Sequence, residues 1–271
     1  MQKLLLTLDL AREIEFAEAE AAVACAEMMA TLASEQAAAV EKVAGGYAVY
    51  CGSNNPITQA VAVGLHGPVT SEEFDQLEQF YFDRREPVRI ETCPLADPSL
   101  FELYRDRGYH VTEFSNVMAR GIENGCALAS PGEIKIRLAR PDELDLWVMT
   151  VSQGFAENYP VTQELLAVMK MFARSKNTEC YLARIDGRVV GGATLAVRGH
   201  IAGFFGASTL PDYRNRGVQT ALLYSRLHRA AEAGCDLAVS LAQPGGRSQR
   251  NIARLDFQTL YTRVKFERSF E

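Results

Sequence analysis

Thr209-Leu-Pro-Asp-Tyr-Arg-Asn-Arg-Gly-Val-Gln-Thr-Ala-Leu-Leu223 is the stretch on which the reading of this chain turns. Its spacing predicts a strand over Ile201 to Thr209, a polar turn with Arg214, Arg216 and Gly217, and a helix from Gly217 to Ala233 capped by Gly234. The helix is expected to set Val218, Ala221, Leu222, Ser225 and His228 on one face. The first amides of a helix, here those of Val218, Gln219 and Thr220, have no partner inside it, and the helix dipole is positive there. Basic side chains and a glycine at that point make a cradle for a diphosphate. Gly217 lets the backbone approach phosphate oxygens, and Thr220 adds a hydroxyl. The spacings G-x-G-x-x-G and G-x-x-x-x-G-K-[ST] are both absent, so the cradle is neither of the dinucleotide type nor a P-loop. Taken alone, Arg-Asn-Arg-Gly is equally a solvated turn before an amphipathic helix.

Outward from this stretch the chain divides. Gly121 to Glu133 is rich in Gly, Ser, Ala and Pro without periodicity, and an alternating run from Ile134 to Leu138 follows at once. Domains of 1–125 and 132–271 are expected. After the seam, helices are predicted over Pro141 to Phe155 and Thr162 to Arg174. Strands over Cys180 to Ile185 and Val189 to Val197 are joined by a two-residue Asp186-Gly187 hairpin. Beyond the central helix come a strand from Leu237 to Leu241, a helix from Arg247 to Leu255 and a strand from Phe257 to Phe266. Before the seam, a long Ala- and Glu-rich helix runs from Leu10 to Ala33. Strands follow at Gly46 to Cys51 and Ile57 to Leu65, then a helix from Ser71 to Arg84 and a strand from Val88 to Cys93. A short helix over Leu100 to Arg107 and a strand over Val111 to Arg120 complete that half. In both halves the final helix stops before an aromatic-led strand, at Gly108-Tyr109 and at Asp256-Phe257, which reads as one α/β fold with a mixed sheet used twice.

The bulk composition fits two soluble domains: 271 residues, 48% hydrophobic and 23% charged. A formal net charge of -6 argues against a nucleic-acid partner. It does not prevent backbone amides from holding an anionic cofactor. None of the six cysteines stands in a C-x-x-C pair, so reduced structural thiols in a cytoplasmic protein are expected. No signal core and no bilayer-length apolar run are present, so no membrane role is expected. His66, His110, His200 and His228 form no ligand pattern, and no metal is assigned.

From about Ile134 to Phe266 the chain resembles the GNAT superfamily of acyl-CoA-dependent N-acetyltransferases. The residues that carry the resemblance are the signature R/Q-x-x-G-x-G/A on the strand-to-helix turn. Arg214 and Gly217 match it, and Gln219 departs from the Gly or Ala of the third position. Pro211-Asp-Tyr-Arg and Thr220-Ala-Leu-Leu are also what the family shows. The resemblance implies acetyl-CoA as co-substrate, with its diphosphate at Arg214, Arg216, Gly217, Val218, Gln219 and Thr220. It implies a splayed strand whose backbone at Ala207, Ser208, Thr209 and Leu210 pairs with the pantetheine arm. It implies direct attack of a primary amine on the thioester, without an acyl-enzyme. Such a reaction needs a neutral amine, a positioned carbonyl and a proton for the thiolate. The tyrosine that the family often places five residues before the aromatic falls on Ile252, which has no proton to give. Ser248, one turn earlier, is the candidate proton donor, directly or through water, equally readable as the N-terminal polar residue of that helix, and Asn251 beside it is a candidate cofactor contact. Tyr261 is a second donor candidate for which packing in a strand is the better reading. Glu157 lies where the family's substrate-facing loop is expected and is the candidate base, against the reading of a solvated loop acid. A homodimer is compatible with the family.

The first half keeps Tyr104, Gly108 and Tyr109 in the family's spacing but not the cradle. Its corresponding loop runs Gly64-Leu-His-Gly67-Pro-Val-Thr70-Ser-Glu-Glu73, where Thr70 and Glu73 are spaced as a capping box and the acids oppose a phosphate. It resembles a degenerate GNAT domain. The expected function is N-acetylation of a small-molecule or peptide amine by the second half. The competing reading is a non-catalytic acyl-CoA-binding or regulatory module.

Overall fold

The computed structural model describes residues 4–32, 38–122, 133–157 and 159–270. The expected seam falls largely on 123–132, outside the described residues, as does Cys126. The five described cysteines, Cys25, Cys51, Cys93, Cys180 and Cys235, are all buried.

The chain separates into two compact units. The first takes Leu5–Val117, Ala242–Pro244 and Thr259–Glu271, and the second Met1–Leu4, Met118–Leu241 and Gly245–Gln258. The expected division at 1–125 and 132–271 therefore differs from the compact units in its terminal strands. A strand belongs where its ladder partner is, and that partner lies far away in sequence.

The first unit contains α1 (Leu8–Leu32), β1 (Ala39–Val43), β2 (Gly46–Tyr50), β3 (Gln59–Val61), α2 (Ser71–Phe82), β4 (Val88–Thr92), α3 (Pro98–Asp106) and most of β5 (His110–Gly121). Its sheet takes in β11 (Gln258–Arg268), in the order β1-β2-β3-β4-β11-β5. β11 runs antiparallel to β4, from Val264 opposite Thr92 to Arg268 opposite Val88. β1 was not expected from the sequence. It is short, mostly exposed and closes onto β2 through Ala44 and Gly45, both at positive φ (50° and 75°). Alanine at such a turn position leaves no sequence signal. Phe74, Leu77, Tyr81, Ile90, Leu100 and Tyr104 form the core.

The second unit contains β6 (Lys135–Leu138), α4 (Leu144–Ala156), α5 (Gln163–Arg174), β7 (Thr178–Ile185), β8 (Arg188–Arg198), β9 (Ile201–Thr209), α6 (Val218–Glu232), β10 (Leu237–Ala242) and α7 (Arg247–Ala253). The strand order is β10-β9-β8-β7-β6, and the end of β5 lies beyond β10. β6 through β9 pair antiparallel, while β9 and β10 are parallel. The β7–β8 hairpin turns on Asp186 and Gly187 at φ 49° and 77°, as the dipeptide requires. Phe204 meets Arg226 of α6, and the next residue, Phe205, meets Phe172 of α5. Successive strand side chains point to opposite faces, so α5 and α6 cover opposite faces of this sheet. α4 packs with α5. α6 ends in the expected glycine: Gly234 has φ 80°, and the Cys235 amide donates to the Ala230 carbonyl at 2.9 Å. The buried face of α6 is rotated from the expected one. His228 is exposed, and Arg226 is buried in its stead.

Candidate functional site

β9 ends at Thr209, a single 3-10 turn spans Pro211–Tyr213, and α6 starts at Val218. Gly217 is the N-cap residue at φ 84°, Asn215 precedes it at φ 61°, and among the described residues no side chain caps the helix. The left-handed conformation suits glycine there and bends the chain into the helix start without covering it. The first intrahelical bond runs from the Ala221 amide to the Gly217 carbonyl at 2.9 Å. The amides of Val218, Gln219 and Thr220 thus stand at the positive end of a helix of four turns, the physical requirement for an anion cradle.

The strand feeding this turn is irregular in a useful way. Its parallel ladder with β10 runs from Ile201 opposite Leu237 to Phe204 opposite Ser240, while β9 itself continues to Thr209. The Ser240 hydroxyl donates to the Phe204 carbonyl at 3.0 Å where that ladder stops. On the other side β9 stays paired with β8, with a register slip between Gly192 opposite Ser208 and Thr194 opposite Phe205. Ala193 therefore faces two residues, Gly206 and Ala207, which is a bulge on β9. The Trp147 indole donates to the Ala193 carbonyl at 3.3 Å, and a Cβ on Gly192 would stand 2.7 Å from that indole nitrogen. The edge from Phe205 to Thr209 is thereby turned out of the β10 ladder, beside the helix start.

The expected residues come together in part. The Ser208 hydroxyl turns into the core and donates to the Val151 carbonyl at 2.8 Å. Leu210 has both backbone groups engaged: its amide donates to Val190 at 2.9 Å and its carbonyl accepts from Tyr213 at 3.0 Å. The Gln219 amide group donates to the Thr209 hydroxyl at 3.0 Å, which ties its side chain to the strand end. Arg214 and Glu157 meet each other. The Arg214 guanidinium donates to Glu157 at 2.9 Å, to the Gly154 carbonyl at 2.9 Å and to the Thr209 carbonyl at 3.4 Å. Arg216 is exposed and lies 5.6 Å from the Tyr213 ring centre. Val218 is buried, and Thr220 is half-buried. α7 packs against α6 and carries Ser248, exposed, and Asn251, which accepts from Arg254 at 3.1 Å. Tyr261 lies in the first unit, buried, with its hydroxyl on Glu15 at 2.7 Å. Sequence reasoning missed Trp147, Gly192, Ser240 and Arg226. Arg226 left one signal, a charged residue one turn after Leu222 on an otherwise apolar face.

Residues 146–257 match the sequence profile of the Acetyltransferase (GNAT) family. This segment is a GNAT domain. No curated protein matches the chain. Among solved structures, a GCN5-related N-acetyltransferase from Kribbella flavida is similar with a TM-score of 0.66 at 15% identity, over 92% of this chain and 94% of that one. A tandem GNAT protein from the clavulanic acid biosynthesis pathway is similar with a TM-score of 0.60 at 14% identity, over 93% and 95% of the two chains. At these identities the likeness is one of fold, and it extends over both halves. The chain is a tandem of two GNAT-like folds.

The GNAT domain and the first unit treat the same loop differently. In the first unit, Thr70 and Glu73 form the expected capping box on α2, at 3.2 Å and 2.9 Å. The Val69 amide donates to the Ser99 hydroxyl at 2.8 Å, and the Gly64 carbonyl accepts from the Asp97 amide at 2.7 Å. The start of α2 is thus capped by the chain's own side chains, with the Glu73 amide taken by Thr70, where the start of α6 has no side-chain cap among the described residues. Tyr104 is buried with its hydroxyl 2.8 Å from that of Thr92, and burial pushes its phenol well above the ordinary range. Among the described residues, no group of three or more His, Cys, Asp or Glu side chains could hold a metal ion. No described helix is long and apolar enough to cross a membrane.

Proposed function

We propose that the GNAT domain, within the expected residues 132–271, transfers the acetyl group of acetyl-CoA to a primary amine of a small molecule or peptide. The observation that carries this reading is the uncapped start of α6 behind Gly217, set beside the β9 edge that leaves the β10 ladder after Phe204. A diphosphate suits the amides of Val218 to Thr220, with Arg216 free to add charge from solvent. An extended amide-bearing arm suits the unpaired strand edge, in the manner of a strand added to a sheet. The acetyl-CoA carbonyl would then be held by backbone groups at Ala207 to Thr209 while the amine attacks directly and the C–S bond breaks, and the proton that the attacking nitrogen gives up reaches the thiolate through Ser248 or water. Residues 1–125 serve as a degenerate partner without a cofactor site, in a cytoplasmic protein.

A second reading, an acyl-CoA-binding module without turnover, is favoured by one observation. Glu157, the candidate base, is held in an ion pair by Arg214, and Ser248, the candidate donor, is exposed on α7. Calorimetric titration with acetyl-CoA, followed by thiol release over a library of amines, separates the two. Binding with release for some amine is the expected result. Binding without release for any amine favours the module, and no binding by the wild type ends both readings.

A further inference from the structure

Beneath the bulge of β9 lies a buried positive charge that the reading above does not use. Arg226 on α6 is 1% exposed. Its guanidinium donates to the Leu222 carbonyl at 3.2 Å and to the Thr194 carbonyl at 2.9 Å, and it sits 4.6 Å from the Phe204 ring centre. Among the described residues no carboxylate pairs with it, and burial pulls its pKa down to about 9. Taking a guanidinium out of water without a counter-charge is costly, and an apolar side chain would fill this helix position without that cost. What the guanidinium supplies in return is donors aimed at backbone carbonyls.

The carbonyl it holds belongs to the residue that organises the bulge. Thr194 is fully buried, stands opposite Phe205, and its hydroxyl donates to the Phe205 carbonyl at 2.7 Å. Gly206 follows at φ 54°, and a Cβ there would lie 3.0 Å from the Thr194 hydroxyl oxygen. Arg226, Thr194 and Gly206 thus link the core to the point where β9 leaves β10. A bulge disturbs its ladder, and the freed backbone groups need partners. Trp147 serves the Ala193 carbonyl, and Arg226 serves that of Thr194.

We propose that Arg226 is a positioning residue for the acyl donor. Through Thr194 it locks the Gly206–Ala207 bulge, and the locked bulge presents the edge from Phe205 to Thr209 to the pantetheine arm. This rests on the acetyl-CoA reading above.

The test compares wild type, Arg226→Met, Arg226→Lys and Thr194→Val in the full-length chain. Each is titrated with acetyl-CoA and with adenosine 3′-phosphate 5′-diphosphate, the nucleotide of the cofactor without its arm. Amide hydrogen exchange is read over Phe205 to Thr209 without ligand. Arg226→Met and Thr194→Val are expected to speed that exchange and to weaken acetyl-CoA by about tenfold while changing nucleotide binding less than about twofold. Arg226→Lys, which keeps one donor, restores part of both. A merely structural residue would weaken both ligands alike, so equal factors overturn the proposal. Unchanged exchange overturns it as well. If Arg226→Met does not fold, Arg226→Lys, which keeps the charge but not the guanidinium fork, decides the role of Arg226 by the same two readouts, and Thr194→Val decides that of the hydroxyl on Phe205. If wild type binds neither ligand, the acetyl-CoA reading fails and the role toward the donor falls with it, while unaltered exchange in the variants would separately show that Arg226 does not lock the bulge.

Discussion

Arg214 and Arg216 stand two positions apart and do different work. Arg214 spends its guanidinium inside the protein, on the carbonyls of Gly154 and Thr209 and on Glu157, and so joins the end of α4 to the end of β9. Arg216 is exposed. Arg214→Ala is therefore expected to cost about 1–2 kcal/mol of stability, the range for charge-assisted bonds at a partly exposed site. Arg216→Ala should leave the melting temperature unchanged and weaken acetyl-CoA by about tenfold at low salt, with less effect at high salt. Thermal melts and calorimetry on both variants check this. A stable Arg214→Ala protein, or a salt-independent loss for Arg216→Ala, would contradict it. The pair Glu157–Arg214 also explains why the sequence was ambiguous there: a loop acid and a turn arginine 57 positions apart share no local pattern.

At the scale of elements, the entry to α4 depends on one carboxylate. Glu143 accepts from Arg137, from the Arg140 amide at 3.1 Å and from Arg184 at 3.1 Å. The Arg137 guanidinium, followed by the Arg140 amide, lowers its pKa from 4.5 to about 2. A carboxylate whose pKa is lowered in the folded state stabilises the fold above its unfolded pKa. That contribution fades as the pH falls through the folded value. The urea midpoint of wild type should exceed that of Glu143→Gln at about pH 6, and the gap should narrow toward about pH 2 to 3. A gap independent of pH would show that the ion pairs are not its source. The same scale separates the two loops. Thr70 and Glu73 were legible as a capping box because capping is local, acting over three residues. The bulge of β9 was not legible, because it is a relation between two strands.

Across the whole molecule the largest departure from sequence reasoning is the place of β11. It carries Arg263, buried in the first unit with Glu15 at 2.8 Å and beside Glu18 of α1. Arg263→Met would leave both carboxylates without a counter-charge, at a cost of about 3–5 kcal/mol. Differential scanning calorimetry should show an early transition that wild type lacks, and Glu15→Gln on that background should recover part of the loss. A single unshifted transition would mean that β11 does not hold the first unit through this network.

By itself the sequence determined what is local or periodic. The strand–turn–helix of Thr209 to Leu223, the Asp186-Gly187 hairpin, the Gly234 cap and the α2 capping box each depend on residues a few positions apart, whose backbone preferences act within one turn. Together with the signature, they were enough for the family and for a fold used twice. Only the tertiary structure decided which half holds the last strand, that Arg214 meets Glu157, that Arg226 rather than His228 is buried on α6, and where β9 parts from β10. These are hydrogen-bonding choices among partners distant in the chain. A ladder or a buried guanidinium is satisfied by whatever carbonyl the fold brings within about 3 Å, and no local spacing encodes that.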